Sequence, residues 1–216
     1  MKRFHWTSFD VRSLLPAMWE SEIRELARTR RREKDLVPTS VTSRESATVE
    51  KVPVMTVAGL IVKEELRWLY ALYHGVFRDL AQDCSAEPVT TARDDRYGVV
   101  LNVQEGPAMR YECHVDSNPI EGLLYCTTHA PGDGGELVVA NSTEANDVDS
   151  VEDDGSVVYP IAGNLIFFDA RDFAHYVRRL VNEDALRIVA AMNFYTPSSP
   201  EVHRPPDLNR HLFGAD

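Results

Sequence analysis

The chain has 216 residues, 44% of them hydrophobic, and a formal net charge of -11 that comes from 34 acidic and 23 basic residues. This length suits one domain with a sizeable core, and the acidic balance disfavours nucleic acid as a partner, because nucleic-acid-binding proteins usually present a basic face. Three cysteines without a Cys-x-x-Cys motif disfavour a disulfide scaffold and a structural zinc site.

The first third of the chain predicts two helices. Between residues 13 and 35, apolar side chains recur at helical spacing, and the basic run 28–34 at the end of this pattern is interpreted as a solvated face. Residues 38–52 lack periodicity and predict a loop with a short edge strand. One apolar stripe over 62–80 predicts a second helix that braces a sheet, with His74 beside the stripe as a packing histidine.

After Pro88 the pattern changes to short apolar runs separated by turn residues, which is typical of strands. Eight strands are predicted, at 97–104, 109–116, 121–128, 136–140, 156–159, 164–169, 174–180 and 186–195. Helices followed by eight strands predict an α+β chain with an all-β core, in which the helices pack on one face of a double-sheet jelly roll.

We expect a single domain, in which 1–90 form a helical N-terminal support, 95–196 the jelly-roll catalytic core and 197–216 a C-terminal tail. The acidic segment 144–154 predicts a solvated loop. In the tail, three apolar residues are expected to pack back onto the body: Leu208, Leu212 and Phe213. The N-terminus lacks the apolar core of a signal peptide, and no apolar run could span a bilayer, so we expect a cytoplasmic protein without a membrane partner.

Four residues carry the candidate chemistry. His114 and Asp116 are two apart in a predicted strand, so the imidazole and the carboxylate point to the same face. His175 follows the buried strand 164–169 and is the candidate third ligand. Two histidines and one carboxylate form the facial triad that suits non-haem Fe(II) and leaves coordination positions open. Arg187 comes 12 positions after His175, at the start of the last strand.

Each of these residues also has an ordinary structural interpretation. The histidines and the aspartate could be surface or packing residues, and Arg187 could form an ion pair with Glu183 or Asp184 in the adjoining turn. Taken singly, the two interpretations have equal weight. The occurrence of all four residues in one order, each in a strand context, favours a functional site.

This order of His-x-Asp, a distal His and then an Arg resembles the Fe(II)/2-oxoglutarate-dependent dioxygenases, in particular their small prolyl-hydroxylase-like branch, over residues 95–196. The resemblance implies a double-stranded β-helix in which His114, Asp116 and His175 are both the metal ligands and the catalytic residues. It also implies Fe(II), 2-oxoglutarate as co-substrate and O2. Arg187 would then bind the far carboxylate of 2-oxoglutarate as a charge-assisted fork.

Further cofactor-binding residues are predicted around this set. Asn102 or Gln104 falls near the position where relatives place a tyrosine that binds 2-oxoglutarate. Tyr111 is three residues before His114, as in some relatives, although strict pleating would turn it to the opposite face. Asn193 shares a face with Arg187 and is expected to contact co-substrate or substrate.

The remaining candidates are assigned structural roles. Cys113 and Cys126 are expected to be buried packing residues. His129 lies in the glycine-rich turn, where a surface role is favoured and substrate contact stays open.

The activity that the resemblance implies is hydroxylation of an unactivated C–H bond of a small polar metabolite, an amino acid or a natural-product intermediate, with release of succinate and CO2. Desaturation and cyclisation are related outcomes. Asp116 disfavours the halogenases, and the lack of a second arginine after Arg187 disfavours nucleic-acid demethylation. Two alternatives stay open, a peptidyl or prolyl hydroxylase that acts on a protein and a non-catalytic cupin-like module that binds metal or ligand. A homodimer is left open.

Overall fold

The computed structural model describes residues 4–39 and 41–205 of the chain. Its strands are β1 (Trp6–Asp10), β2 (Arg32–Leu36), β3 (Val52–Val57), β4 (Thr90–Thr91), β5 (Val99–Glu105), β6 (Tyr111–His114), β7 (Ile120–Tyr125), β8 (Leu137–Ala140), β9 (Gly155–Val158), β10 (Asn164–Phe168), β11 (His175–Val177) and β12 (Leu186–Tyr195). Its α-helices are α1 (Trp19–Arg30), α2 (Gly59–Glu65), α3 (Arg67–His74), α4 (Val76–Gln82), α5 (Asp95–Gly98) and α6 (Val148–Asp153). Short 3-10 turns cover Arg12–Leu14 and Glu201–His203.

Two antiparallel sheets form the jelly roll. The larger sheet has the order β1-β10-β7-β12-β5-β3-β2, with β4 paired to β12, and the smaller has the order β6-β11-β8-β9. All eight predicted strands are present, as β5 to β12. The predicted jelly roll with accompanying helices is therefore confirmed.

The central strand β12 shows why one sheet can carry both a core and a site. Its side chains alternate between the two faces, as in any pleated strand. Ile188 and Met192 point to the face covered by helices, where they join a cluster with Leu69 of α3 and Phe77 of α4. Val189 and Ala191 belong to a second apolar cluster, which lies between the two sheets. Arg187 and Asn193 share the inner face with Val189, so the strand carries polar groups into the interior.

The prediction of one helix over 13–35 is wrong at both ends. The helix α1 covers only Trp19–Arg30, and the basic residues that follow it form β2. This strand is drawn into the sheet by its pairing with β3. Arg31, between α1 and β2, donates two hydrogen bonds to Glu105 of β5 at 2.9 and 2.8 Å, so this part of the basic run is an ion pair and not a solvated face.

The single helix predicted over 62–80 is three short helices. The chain leaves helical geometry at Leu66, where φ is -116° and ψ is 59°, and again at Gly75, where φ is -107° and ψ is -113°. The apolar stripe persists across both breaks because the helices pack against one sheet face. Tyr73 is fully buried and donates a hydrogen bond from its hydroxyl to the carbonyl of Asn193, which ties α3 to β12.

Two loop predictions also need correction. The segment 144–154 contains α6, which begins at a capping box formed by Asp147 and Ser150, and a cap of this kind stabilises a helix start in an otherwise polar segment. In the loop predicted over 38–52, an isolated bridge pairs Ser43 with His114. The strands β1 and β3 were not predicted.

Part of the tail falls outside the described residues, and with it Leu208, Leu212 and Phe213. Within the ranges 4–39 and 41–205, no helix combines the length and the apolar character needed to cross a bilayer.

Candidate active site

The structure brings the two predicted histidines and the aspartate together. His114 ends β6 and His175 begins β11, and the two are register partners in the smaller sheet. Their ring centroids are 4.4 Å apart. Asp116 lies just beyond β6 and is fixed by a hydrogen bond of 2.8 Å from its backbone N–H to the carbonyl of Ala170. Its two carboxylate oxygens lie 3.6 Å from His114 Nε2 and 3.5 Å from His175 Nε2.

The backbone sets the tautomer of both imidazoles. His114 Nδ1 lies 2.6 Å from the carbonyl oxygen of Glu112, and His175 Nδ1 lies 3.1 Å from that of Phe173. A carbonyl oxygen only accepts, so each Nδ1 carries the proton and each Nε2 keeps its lone pair directed at Asp116. Metal-ligating histidines are held in this way in proteins. One atom from each of the three side chains lies within 4.8 Å of the others, and this donor set fits a divalent transition-metal ion.

Neighbouring charges in the triad shift the pKa values of His114 and Asp116. Burial alone would lower the pKa of His114, but the nearby carboxylates of Asp116 and Glu112 outweigh burial and raise it. Burial would raise the pKa of Asp116, and the two imidazoles outweigh that effect and lower it. Both shifts favour an ionised Asp116 with positive charge beside it, which a bound metal cation would supply in place of a proton.

A cavity of about 170 Å³ lies between the two sheets and includes the triad in its wall. Its lining from the larger sheet alternates along the strands, as the pleat requires. The cavity is therefore built from the inner face of β12, β5 and β7 on one side and from β6 and β11 on the other. All four residues predicted to carry the chemistry line it.

Arg187 is the second main feature of the cavity. It is 1% exposed, and its Nη1 donates a hydrogen bond of 2.9 Å to Gln104 Oε1 on the neighbouring strand. Its Nε and Nη2 are buried and have no hydrogen-bond partner. A buried guanidinium with two unpaired donors is costly unless an anion completes it. These donors fit a carboxylate, which Arg binds through two parallel hydrogen bonds. The alternative interpretation of Arg187, an ion pair with Glu183 or Asp184, is not what the structure has.

Tyr111 lies in the same cavity, and the expectation that pleating would turn it away is wrong. His175 of β11 pairs with His114 of β6, and Val177 pairs with Tyr111. An advance of two residues along β11 therefore corresponds to three residues along β6. Such a bulge reverses the facing of the residues beyond it. The Tyr111 hydroxyl is buried and has no partner, like the free donors of Arg187.

The other predicted cofactor residues divide into two groups. Asn102 and Asn193 both line the cavity, and Asn193 donates a hydrogen bond of 2.9 Å from its amide to the carbonyl of Tyr97. Gln104 is not among the lining residues but orients Arg187 from behind. Its own amide lies 3.5 Å from the carbonyl of Met109.

Two residues that support Arg187 were missed by the sequence analysis. The guanidinium lies over the ring of Tyr125, at 5.5 Å from the ring centroid. Gly135, with φ of +81°, lies against the arginine stem, and a Cβ at this position would be 3.0 Å from Arg187 Cδ. The alternation of β7 could have placed Tyr125 on the inner face, whereas no local pattern links Gly135 to an arginine 52 residues away.

Glu121 is a further residue that was missed. It lines the cavity, is 7% exposed and accepts a hydrogen bond of 2.8 Å from the amide of Asn118. Burial and the charge of Asp116 raise its pKa well above the ordinary value. Its position on β7, at the start of an apolar strand, is the only sequence signal for it.

We expect Glu121→Gln to stabilise the metal-free protein increasingly as the pH rises. Below about pH 4 the carboxyl group is protonated in both the folded and the unfolded state, and the two proteins should differ little. Above that pH the unfolded chain loses the proton while the folded chain retains it, so the wild type should lose about 1.4 kcal/mol per pH unit relative to the variant until its folded pKa is passed. Urea unfolding at pH 4.5, 6 and 7.5 measures the difference. A stability difference between the two proteins that does not change with pH would contradict the raised pKa of Glu121.

A segment that we call the strap, residues 41–49, covers the edge of β6 beside His114. Backbone hydrogen bonds run from Val115 N–H to the Thr42 carbonyl at 3.0 Å and from Arg44 N–H to the Cys113 carbonyl at 2.7 Å. Glu45 anchors the strap, because its carboxylate accepts two hydrogen bonds of 2.6 Å from Arg110 and one of 2.6 Å from the Cys113 N–H. The strap therefore fixes the backbone on both sides of His114.

We expect Glu45→Gln to weaken metal binding about tenfold, the lower end of what loss of an outer-shell contact causes. It should also lower the free energy of unfolding by about 3 kcal/mol, because the pair is mostly buried. The matched control is Glu25→Gln, since Glu25 pairs with Arg28 in the same two-bond geometry on an exposed helix face. Competition with a chelator and urea unfolding measure the two effects. Unchanged metal affinity with reduced stability would show that the strap does not position His114.

The two histidines and two cysteines to which the sequence analysis gave structural roles have structural contacts. His74 Nδ1 lies 2.8 Å from the hydroxyl of Thr91, and His129 is half-buried with a ring nitrogen 3.1 Å from the Leu186 carbonyl. Neither lines the cavity. Cys113 and Cys126 are fully buried, and burial raises the pKa of both thiols to about 12, which agrees with packing roles.

The chain was also compared with known proteins. No protein-family model matches it, and no curated protein matches it either. Solved structures do match. An oxidoreductase of the 2OG-Fe(II) oxygenase family from Burkholderia pseudomallei is 13% identical, with 88% of this chain and 85% of that chain covered and a TM-score of 0.60.

Two further solved structures match over most of the chain. The non-heme alpha ketoglutarate dependent carbocyclase SnoK from nogalamycin biosynthesis is 13% identical, with 99% of this chain and 88% of that chain covered and a TM-score of 0.64. HygX from Streptomyces hygroscopicus, with nickel, 2-oxoglutarate and hygromycin B bound, is 12% identical, with 90% and 84% covered and a TM-score of 0.57. The chain therefore has the jelly-roll fold that is seen in solved structures of the 2OG-Fe(II) oxygenase family.

Proposed function

We propose that the protein is an Fe(II)- and 2-oxoglutarate-dependent oxygenase that hydroxylates an unactivated C–H bond of a small polar metabolite. One observation carries the proposal. A triad of two imidazoles and one carboxylate shares a cavity with a buried arginine that has two unpaired donors. The triad alone would suit many metal proteins, and the arginine alone many anion sites. Together they match a metal ion and a dicarboxylate bound side by side.

His114, His175 and Asp116 would hold the iron, and Arg187 with Tyr111 would bind the far carboxylate of 2-oxoglutarate. Bound iron supplies the oxidising chemistry, in which one atom of O2 enters the substrate C–H bond and the other enters succinate as 2-oxoglutarate loses CO2. The chain itself contributes orientation and exclusion of water. Gln104 holds the guanidinium in place, and Val189, Ala191 and neighbouring residues form an apolar wall that offers water no hydrogen-bond partner.

The cavity size supports a compact substrate group beside 2-oxoglutarate. Its volume of about 170 Å³ is below the range of roughly 300–1,000 Å³ found for sites that bind drug-sized ligands. 2-Oxoglutarate would occupy much of it, so the remaining space suits a compact molecule. The structure of HygX contains hygromycin B together with nickel and 2-oxoglutarate, and a second neighbour, SnoK, comes from nogalamycin biosynthesis. These neighbours support a natural-product intermediate as one candidate substrate class.

The non-catalytic cupin-like alternative is disfavoured by Arg187. A protein that only binds metal has no need for a buried cation with two free donors inside the metal-facing cavity. The comparison with a carbocyclase shows that this fold accommodates reactions other than hydroxylation. We propose hydroxylation because the triad retains Asp116 and therefore leaves no ligand position for a halide.

The test is formation of succinate from 2-oxoglutarate by the purified protein. Succinate should appear only when Fe(II) and O2 are both present, and a panel of free amino acids and small amino alcohols should include compounds that increase its rate. Mass spectrometry then identifies any product that is 16 mass units heavier than the added compound. Succinate formation by His114→Ala at the wild-type rate would refute the proposal.

A further inference from the structure

The cavity has a second polar end, opposite Arg187, which we call the Glu121 end. It contains Glu121, Asn193, Tyr97 and Ser117. Asn193 lies six residues after Arg187 on the same face of β12, and six residues of an extended strand span about 20 Å. Glu121 on β7 is the register partner of Asn193. The two ends are therefore separate binding regions along one strand.

The metal triad lies next to the Glu121 end. Phe168 of β10 is the register partner of Glu121 on the other side of β7. The ring of Phe168 packs edge-on against His175, with 4.8 Å between the ring centroids. A group bound at Glu121 would thus lie near the metal site and not at the far co-substrate end.

The Glu121 end is rigid, and its free groups are mainly acceptors. Asn118 is fully buried and donates from its amide to Glu121 Oε2 at 2.8 Å and to the Ile120 carbonyl at 3.0 Å. Tyr97 donates from its hydroxyl to Asn118 Oδ1 at 3.2 Å. These contacts use one oxygen of Glu121 and one N–H of the Asn193 amide, which leaves Glu121 Oε1, Asn193 Oδ1 and the second Asn193 N–H for a ligand. Ser117 Oγ, also in the lining, is buried without a partner.

The charges of the cavity-lining residues show that the Glu121 end lacks a cation. Among the described lining residues, Arg187 is the one Arg or Lys, while the carboxylates are those of Glu112, Asp116 and Glu121. Glu112 lies near Arg110 and helps to raise its pKa, although both guanidinium hydrogen bonds of Arg110 go to Glu45. If the proposed function holds, the iron offsets Asp116 and one carboxylate of 2-oxoglutarate, and Arg187 offsets the other. Glu121, which keeps its proton in the folded metal-free protein, then has no cation beside it that would favour its ionised form.

We propose that the substrate is an amine and that its ammonium group binds at the Glu121 end, with Glu121 as ion-pair partner and Asn193 Oδ1 as second acceptor. This inference rests on the proposed function and narrows its substrate class. An ammonium group supplies the missing positive charge together with three hydrogen-bond donors. It would also hold a neighbouring C–H bond close to the triad. Glu121 is thus assigned as the specificity-determining residue.

The test compares two probes of the same size and shape, cyclohexylamine, which is a cation at neutral pH, and cyclohexanol, which is neutral. Saturation-transfer NMR titrations measure their dissociation constants on protein loaded with Zn(II), as a redox-inert stand-in for iron, and with 2-oxoglutarate. The amine should bind at least about tenfold more tightly than the alcohol, because a charge-assisted hydrogen bond is stronger than a neutral one. In Glu121→Gln this preference should disappear.

The matched control is Glu112→Gln, which removes the other cavity carboxylate that is not a proposed metal ligand and should keep the preference for the amine. Equal or tighter binding of cyclohexanol to the wild type overturns the proposal. It is also overturned by binding of neither probe, or by a preference that survives in Glu121→Gln. The affinity for 2-oxoglutarate, measured separately, should be the same in Glu121→Gln and wild type. If the wild type does not bind 2-oxoglutarate, the proposed function is refuted. The probe comparison is then repeated on protein loaded with Zn(II) alone.

Discussion

Replacing His175 by alanine is expected to abolish succinate formation and to weaken metal binding by more than about 100-fold. Loss of an outer-shell partner alone weakens metal binding by roughly 10–100-fold, and His175 is proposed as a direct ligand. The change also leaves Asp116 without the nearer of its two imidazole contacts, at 3.5 Å. A chelator competition titration with Zn(II), read at constant pH, measures the loss.

Two histidine variants serve as controls for this prediction. His203 is exposed on a 3-10 turn, and His74 contacts Thr91 on the outer side of the sheet. Alanine at either position should leave the Zn(II) affinity unchanged. If His175→Ala bound Zn(II) as tightly as these controls do, the triad would not be the metal site.

Arg187→Met is expected to give a protein that folds and binds metal but does not respond to 2-oxoglutarate. Without ligand, the wild type carries a buried cation with two unpaired donors, so an apolar replacement of similar length should not destabilise the metal-loaded protein and is expected to stabilise it. With 2-oxoglutarate bound, the wild type should be the more stable of the two proteins. Removal of one partner of a buried charge pair costs about 2–5 kcal/mol, which corresponds to a roughly 30- to 4,000-fold weaker affinity for 2-oxoglutarate.

Thermal unfolding with Zn(II) and increasing 2-oxoglutarate separates these two effects. At 100 times the dissociation constant, the wild type should gain about 2.7 kcal/mol of stability, and Arg187→Met should gain almost none at the same concentration. Arg178→Met is the control, because Arg178 is half-exposed and paired with Glu152. An equal ligand-induced stabilisation of Arg187→Met and wild type would show that the guanidinium does not bind the co-substrate.

The residues that carry the candidate site could be predicted because two regularities of strands are strict. Residues two apart in an extended chain share a face, which placed His114 at the end of β6 together with Asp116 just beyond it, and antiparallel neighbours in a jelly roll bring distant strands into register. His175 and His114 are register partners although they are 61 residues apart in the chain. The position of Tyr111 could not be predicted, because it depends on a bulge that sequence spacing does not reveal.

The contacts that define the chemistry could not be predicted from the sequence either. An arginine at the start of a strand does not show whether its donors are satisfied, and the free Nε and Nη2 of Arg187 depend on Gln104, Tyr125 and Gly135 from three other segments. Glu121 looked like an ordinary charged residue at a strand start. Its importance arises from burial beside Asp116, which is a tertiary effect.

Errors were concentrated in the N-terminal half, where local pattern and tertiary structure compete. The helical spacing over 13–35 is real up to Arg30, but pairing with β3 converts the following residues into a strand. Over 62–80 the apolar stripe survives two breaks, because packing on the sheet requires one apolar side and not one continuous helix. In both cases the pattern predicted which residues face the core better than it predicted the element boundaries.

The most direct test of the account is a crystal structure of the protein with Ni(II) and 2-oxoglutarate. We predict one metal ion about 2.0–2.2 Å from His114 Nε2, from His175 Nε2 and from a carboxylate oxygen of Asp116. The far carboxylate of 2-oxoglutarate should accept hydrogen bonds from Arg187 Nε and Nη2. An ion bound away from these three side chains, or a dicarboxylate that leaves the guanidinium uncontacted, would contradict the account.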